Sequence, residues 1–356
     1  MNEIAIIDAD LIGRKNHRFP NLVCMKISGY YKSYGWFVTL KTDWDGLDNF
    51  HRVYIAKVFT DTPIPDGGLF GDILKRPNVI YGGTGFFFDN AKPLPDTIEH
   101  AMPDYHLYDK WLGEVDDGST KFKSYRDYSI GFLTRGCFRH CPFCVNRRSS
   151  KVVAHSPLAE FLDPTRKKIC LLDDNFFGYD GWKDLLLQLQ ATGKPFVFKQ
   201  GLDVRLLDDE KARLLFKSRY DGDFIFAFDD PNDAPLIEEK LNLMARYLDL
   251  KNNRVKFYVL CGFDRAGKYD DDFWERDLDS VLKRAELLKR YDCLPYVMRH
   301  KNYLQAPNPK LYTLLTRWAN QPHMFLKKTF AEYVGYEAQY RKTRRKKHGT
   351  TDCRQD

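Results

Sequence analysis

The chain has 356 residues, 43% of them apolar and 29% charged, a composition that supports the cores of two domains and excludes a disordered protein. No run approaches the roughly 18 consecutive apolar residues of a membrane-spanning helix, so no membrane partner is expected and the expected location is the cytoplasm. The net charge of +7 is concentrated in RKTRRKK (341–347), which holds six basic residues and no acid, so the remainder sums to about +1.

The N-terminus, MNEIAIIDAD, has acids and no basic run before its apolar stretch, so IAIIDA (4–9) reads as a first strand rather than a secretory signal. NLVCMKISGYYKSYG (21–35) has apolar residues at helical spacing and stops at Gly35. WFVTL (36–40), VYIAKVF (53–59) and NVIYGG (78–83) are β-rich runs bounded by turn residues. Strands alternating with helical patterns predict an open parallel sheet, a Rossmann-like domain. A less regular connector follows over 90–125, with Pro93, Pro95, Pro103 and a DDGS turn at 116–119.

A second rhythm begins near 126. Strands are expected at 128–134, 168–174, 196–201, 223–229, 255–263 and 294–299, with helices at 181–190, 208–218, 234–250 and 272–290 between them. Asp208 is placed to cap its helix. The pattern predicts a partial (β/α)6 TIM-like barrel, whose chemistry belongs where strands end. The expected division is 1–125 for the Rossmann-like domain with its connector, 126–300 for the barrel, 301–340 for a helical extension opened by APNPKLYTLLTRWANQ (306–321), and 341–356 for a solvated basic tail.

RGCFRHCPFCVN (135–146) follows the first barrel strand and carries Cys137, Cys141 and Cys144 in a C-x3-C-x2-C spacing. The other cysteines, at 24, 170, 261, 293 and 353, are scattered singly, as in a reducing compartment. Thiolates suit zinc, copper(I) or iron–sulfur clusters. Zinc would need a fourth ligand, and His140 and His155 are the nearest histidines, although His140 directly precedes Cys141. An iron–sulfur cube normally takes four cysteines, so three leave one iron open.

C137-F-R-H-C141-P-F-C144 at the end of a first barrel strand resembles the radical S-adenosylmethionine superfamily over about 126–300. The resemblance implies that Cys137, Cys141 and Cys144 hold a [4Fe–4S] cluster, the metal site and catalytic centre. It implies that S-adenosyl-L-methionine chelates the open iron and is cleaved reductively to a 5′-deoxyadenosyl radical, which functionalises an unactivated carbon. An external one-electron reductant of flavodoxin or ferredoxin type is implied as partner. Phe143 matches the aromatic residue beside the adenine. Where the family often has Gly-Gly-Glu, this chain has LLDDNFFG (171–178), making Asp174 with Asn175 the expected contact to the methionine amino group, with a capping pair as the alternative. Gln200 and Arg205 stand at the level of a bound ligand. Arg205 either holds the methionine carboxylate or pairs with Asp203 or Asp208. Asp229 or Asp230 would meet ribose hydroxyls, and Cys261 is either a core residue or a thiol at the barrel mouth.

An α/β domain ahead of such a barrel resembles the cobalamin-binding group of the superfamily. Its D-x-H-x-x-G motif corresponds here to D8-A-D10-L-I-G13, with Asp10 where the lower-ligand histidine would be, and YGGTG (81–85) fits its glycine pair. Three readings stay open: cobalamin held without a protein ligand, as in a cobalamin-dependent methyltransferase; a domain that no longer binds cobalamin; or an ordinary α/β domain. The basic tail leaves open a nucleic-acid-modifying enzyme, similar in layout to tRNA methylthiotransferases, although the first domain offers only Cys24 towards their second cluster. The non-catalytic alternatives are an electron-transfer or iron-sensing protein and a zinc-stabilised one.

Overall fold

The computed structural model describes residues 2–15, 17–66, 71–252 and 254–338. The chain is mixed α/β with parallel sheets, and packing divides it into two compact units, Met1–Gln200 and Gly201–Asp356. Among the described residues no helix is long and apolar enough to cross a membrane.

The first unit opens with a four-stranded parallel sheet in the order β2-β1-β3-β4, built from β1 (Glu3–Asp8), β2 (Phe37–Lys41), β3 (Arg52–Ala56) and β4 (Val79–Gly82). Ile4, Ala5, Ile6 and Ile7 are all fully buried, as expected of a central strand covered on both faces. Alternate side chains separate cleanly. Ile4 and Ile6 pack with Cys24, Met25, Ile27 and Tyr31, and Ala5 and Ile7 with Leu47, Val53, Ile55 and Ile73. The helix Leu22–Ser33 begins where Asn21 accepts from the Val23 and Cys24 amides, and ends just before the expected stop. The expected connector holds short helices, Asp96–Glu99, Asp109–Val115 and Lys123–Arg126, too brief to leave a periodic trace.

A three-stranded parallel sheet of the same unit has the order β5-β8-β9, from β5 (Tyr128–Gly131), β8 (Lys168–Leu171) and β9 (Phe196–Phe198). The run expected as one strand over 128–134 breaks at Gly131. It resumes as β6 (Thr134–Arg135), which pairs antiparallel with β7 (Val153–Ala154).

The second unit has its own parallel sheet, β10-β11-β12, from β10 (Phe224–Ala227), β11 (Val255–Cys261) and β12 (Leu294–Arg299). The helix Asp271–Arg290 starts at Asp270, whose carboxylate accepts from the Phe273 amide. Asp208 likewise caps the helix Asp209–Phe216 through the Lys211 amide at 2.8 Å, as expected from sequence. The helix Pro309–Ala319 buries Tyr312, Leu315 and Trp318, and the segment 330–338 is helical. The basic tail at 341–356 lies outside the described residues.

Candidate metal centre

The antiparallel pair β6–β7 clamps both ends of the cysteine loop, with Thr134 opposite Ala154 and Arg135 opposite Val153. Gly136 opens the loop at φ +97°, and a Cβ there would stand 2.2 Å from the Lys151 carbonyl oxygen. Only glycine allows that approach. The Cys137 amide donates to Ser149 Oγ at 3.1 Å, and that hydroxyl donates to the Lys151 carbonyl at 3.1 Å, tying the outgoing strand to the incoming one. The Cys144 amide donates to the Cys141 carbonyl at 2.9 Å, so the last two thiols flank one turn. His140, at φ +50°, donates Nδ1–H to the Arg147 carbonyl at 2.8 Å. Arg147 and Arg148 both donate Nε–H to Asp89 Oδ2, at 2.6 and 2.8 Å. The Arg148 and Arg147 guanidiniums hold the Asp89 carboxyl below the usual carboxylate range.

The segment after β8 braces the loop from below. Asp173 is buried and accepts from the Leu133 amide and from both the amide and hydroxyl of Thr134, at 3.2, 2.7 and 2.7 Å. Burial pushes its carboxyl up to about 6, against those hydrogen bonds. Asp174 accepts from the Gly136 amide at 2.8 Å and the Asn146 side-chain amide at 2.7 Å. Asn175, also buried, donates Nδ2–H to Cys137 Sγ at 3.5 Å, while the Asn146 amide donates to Cys144 Sγ at 3.4 Å. The Asn175 side-chain oxygen, Oδ1, is buried and has no partner among the described residues. The alternative of a capping pair is not what forms, since Asn175 precedes the turn Phe176–Gly178 without a side-chain cap bond.

Cys137, Cys141, Cys144 and Phe143 are half-buried, and the seven described cysteines are all thiols. Among the described residues no three His, Cys, Asp or Glu side chains converge on one point to hold an ion. Three thiols on one loop, N–H donors to two of the sulfurs and an orphaned amide oxygen beside them fit a cluster with an open corner. His155 is stacked on His100 at 5.3 Å, and its Nε2 lies 3.4 Å from Glu99.

Gln200 is exposed just past β9. Arg205 and Asp229 belong to the second unit, where each has a local role. Arg205 Nε pairs with Asp203 at 2.7 Å, one of the two partners offered as its alternative. Asp229 accepts from the Leu260 amide at 2.9 Å, which joins the ends of β10 and β11, and burial raises its pKa. Arg284, buried, donates to the carbonyls of Phe228, Asp229 and Leu260. Cys261 is buried, donates to the Met298 carbonyl and is pushed up to about 12 by burial, so it is a core residue.

The D8-A-D10-L-I-G13 segment does not present a ligand for cobalt. Asp10 is fully buried, and its carboxylate accepts from the Val58 amide at 2.7 Å and the Thr62 hydroxyl at 2.5 Å. Asp8 caps the helix Ala9–Gly13 through the Leu11 amide. Gly83, at φ +108°, brings the YGGTG turn so close to β3 that a Cβ would meet the Lys57 carbonyl oxygen at 2.3 Å. These residues fold the strand ends onto one another.

Sequence reasoning missed Asn146, Ser149 and Asp89, and it favoured Asp174 over the neighbouring Asp173. Asp173 lies in the acidic pair after β8, but nothing along the chain links Asp89 to arginines 58 and 59 positions later. No protein-family model matches the chain, and no curated protein matches it.

Proposed function

We propose that this chain is a radical S-adenosylmethionine enzyme whose 128–299 strands act as the partial barrel of that superfamily. Cys137, Cys141 and Cys144 would hold a [4Fe–4S] cluster with one open iron. When bound, cluster and S-adenosylmethionine supply reductive cleavage of the sulfonium and a 5′-deoxyadenosyl radical, given an external one-electron reductant. The observation that carries the reading is Asn175. Its side-chain Nδ2 donates to the Cys137 sulfur, and its buried side-chain Oδ1 lacks a partner among the described residues. An unsatisfied buried acceptor costs about 1–3 kcal/mol, and an ammonium group arriving beside the cluster would satisfy it. Asp174 holds the loop in place for that contact, and Phe143 is the residue for the adenine. Arg205 and Asp229 are not needed for it.

Anaerobic reconstitution tests the reading. The expected product holds about four irons per chain, loses its cluster absorbance when any of Cys137, Cys141 or Cys144 becomes Ala, and forms 5′-deoxyadenosine with dithionite and S-adenosylmethionine. Asn175→Leu should keep the iron and raise the KM for S-adenosylmethionine about 10- to 100-fold, the worth of a hydrogen bond to a charged group. One zinc per chain, or a cluster that never yields the nucleoside, would overturn the assignment.

A further inference from the structure

We propose that the cysteine loop is also a docking surface for single-stranded nucleic acid. Residues 135–151 contain five Arg or Lys and no Asp or Glu. The cations are displayed: the Arg135, Arg147 and Arg148 side chains are 42%, 42% and 61% exposed, and Lys151 is exposed beside them. Asp174 pairs with Arg135, and Asp89 with both Arg147 and Arg148. Asp89 also fixes Arg147 and Arg148 side by side through their Nε atoms. A guanidinium has about five N–H donors, so the Nε bonds leave others for phosphate oxygens.

The kind of cation separates a nucleic acid from an acidic protein. Four of the five are arginines, and three lie over phenylalanine rings: Arg135 over Phe132 at 4.0 Å, Arg139 over Phe138 at 5.0 Å and Arg147 over Phe88 at 5.6 Å. Rings and planar guanidiniums offer bases a stacking surface and phosphates a forked donor. Steering an acidic protein needs only net charge. The sequence adds six further cations at 341–347. As the substrate class of the radical chemistry, a nucleic acid strand rests on the function proposed above; as a binding surface it does not.

The test is fluorescence anisotropy of the full reconstituted chain with labelled 20-nucleotide RNA and DNA single strands, the matching duplex, and heparin as a base-free competitor. Single strands of either kind should bind in preference to duplex, with log K falling by about 0.7 per decade of salt for each engaged phosphate. Arg139→Gln with Lys151→Gln should weaken binding at least 10-fold and reduce that slope by about 1.4. Equal binding of strand and duplex, displacement by heparin at equal charge, or dependence on 341–356 with none on the loop would each overturn the proposal. So would an acidic flavodoxin binding the loop when no strand does. The strand-to-duplex ratio needs no variant, so a poorly folded double substitution leaves the proposal open to refutation. Iron content and 5′-deoxyadenosine formation, read on the same samples, separate the two claims. Strand binding without a cluster sinks the enzyme, and a working cluster without strand binding sinks the surface.

Discussion

Asp8 ends β1 with its carboxyl fully buried, accepting from the Tyr108 hydroxyl at 2.8 Å and the Leu11 amide at 3.3 Å. Burial raises its pKa to about 7, with the Tyr108 bond opposing the rise and the neighbouring Asp10 adding to it. The unfolded chain ionises this group near 4, so between about 4 and 7 the folded state holds the extra proton. Stability from this group is therefore full below about 4 and lost as pH rises through about 7. The loss is on the order of a few kcal/mol, since a tenfold change in proton affinity is worth about 1.4 kcal/mol. Asp8→Asn keeps a capping carbonyl and removes the titration. Its thermal midpoint should gain on the wild type between pH 5 and pH 8, and an unchanged gap between the two would refute the argument. Asp173, raised to about 6, runs in the same direction and is untouched by that substitution. The spacing of Asp8 and Asp10 was legible along the chain. What occupies them was not, because the Tyr108 hydroxyl, the Val58 amide and the Thr62 hydroxyl come from distant positions.

Elements were legible in proportion to their length and pattern. β11 alternates buried and half-buried side chains over Val255–Cys261, and the helix Asp271–Arg290 keeps its apolar stripe across 20 residues, so both stood out in the sequence. The β6–β7 pair, two residues on each side, carries no period, yet it fixes the geometry of the cysteine loop. The thiols were found because ligand chemistry is written in residue type and spacing, while the clamp that aims them depends on Gly136, Ser149 and Asp174. Gly136→Ala combines a disallowed φ with contacts of 2.2 and 2.6 Å to Lys151 O and Ser149 Oγ. A left-handed non-glycine residue alone costs about 1–2 kcal/mol. Gly118, at φ +74° with nothing within 4 Å, isolates that part. Gly136→Ala should lower the thermal midpoint more than Gly118→Ala and should also reduce iron uptake, which Gly118→Ala leaves alone. Equal losses in midpoint would show that the close approach at Lys151 carries no energy.

At the scale of the molecule, cross-links explain why the first unit runs to Gln200. The Tyr105 hydroxyl donates to the Phe161 carbonyl at 2.6 Å and accepts from the Ile130 amide at 2.8 Å. Arg166 donates to the Tyr125 and Tyr105 carbonyls, and Leu22 packs on Ile130 and Cys170. The boundary expected at 125 followed a change of rhythm, which marks elements and not the bonds that later join them. The second unit has a core of its own. Trp318 is fully buried, donates to the Lys328 carbonyl at 3.0 Å and packs on Phe325 and Phe330 at 5.1 and 5.5 Å. Phe224, Phe226, Phe228 and Phe257 are buried along its sheet. About 150 residues with these buried aromatics lie within the range of chains that fold alone. Residues 201–356, expressed separately, should therefore give a dispersed amide spectrum and a cooperative urea transition. Trp318→Ala should cost that fragment about 3–5 kcal/mol, the usual loss on truncating a buried tryptophan. A fragment without a cooperative transition would mean that the second unit borrows its stability from the first.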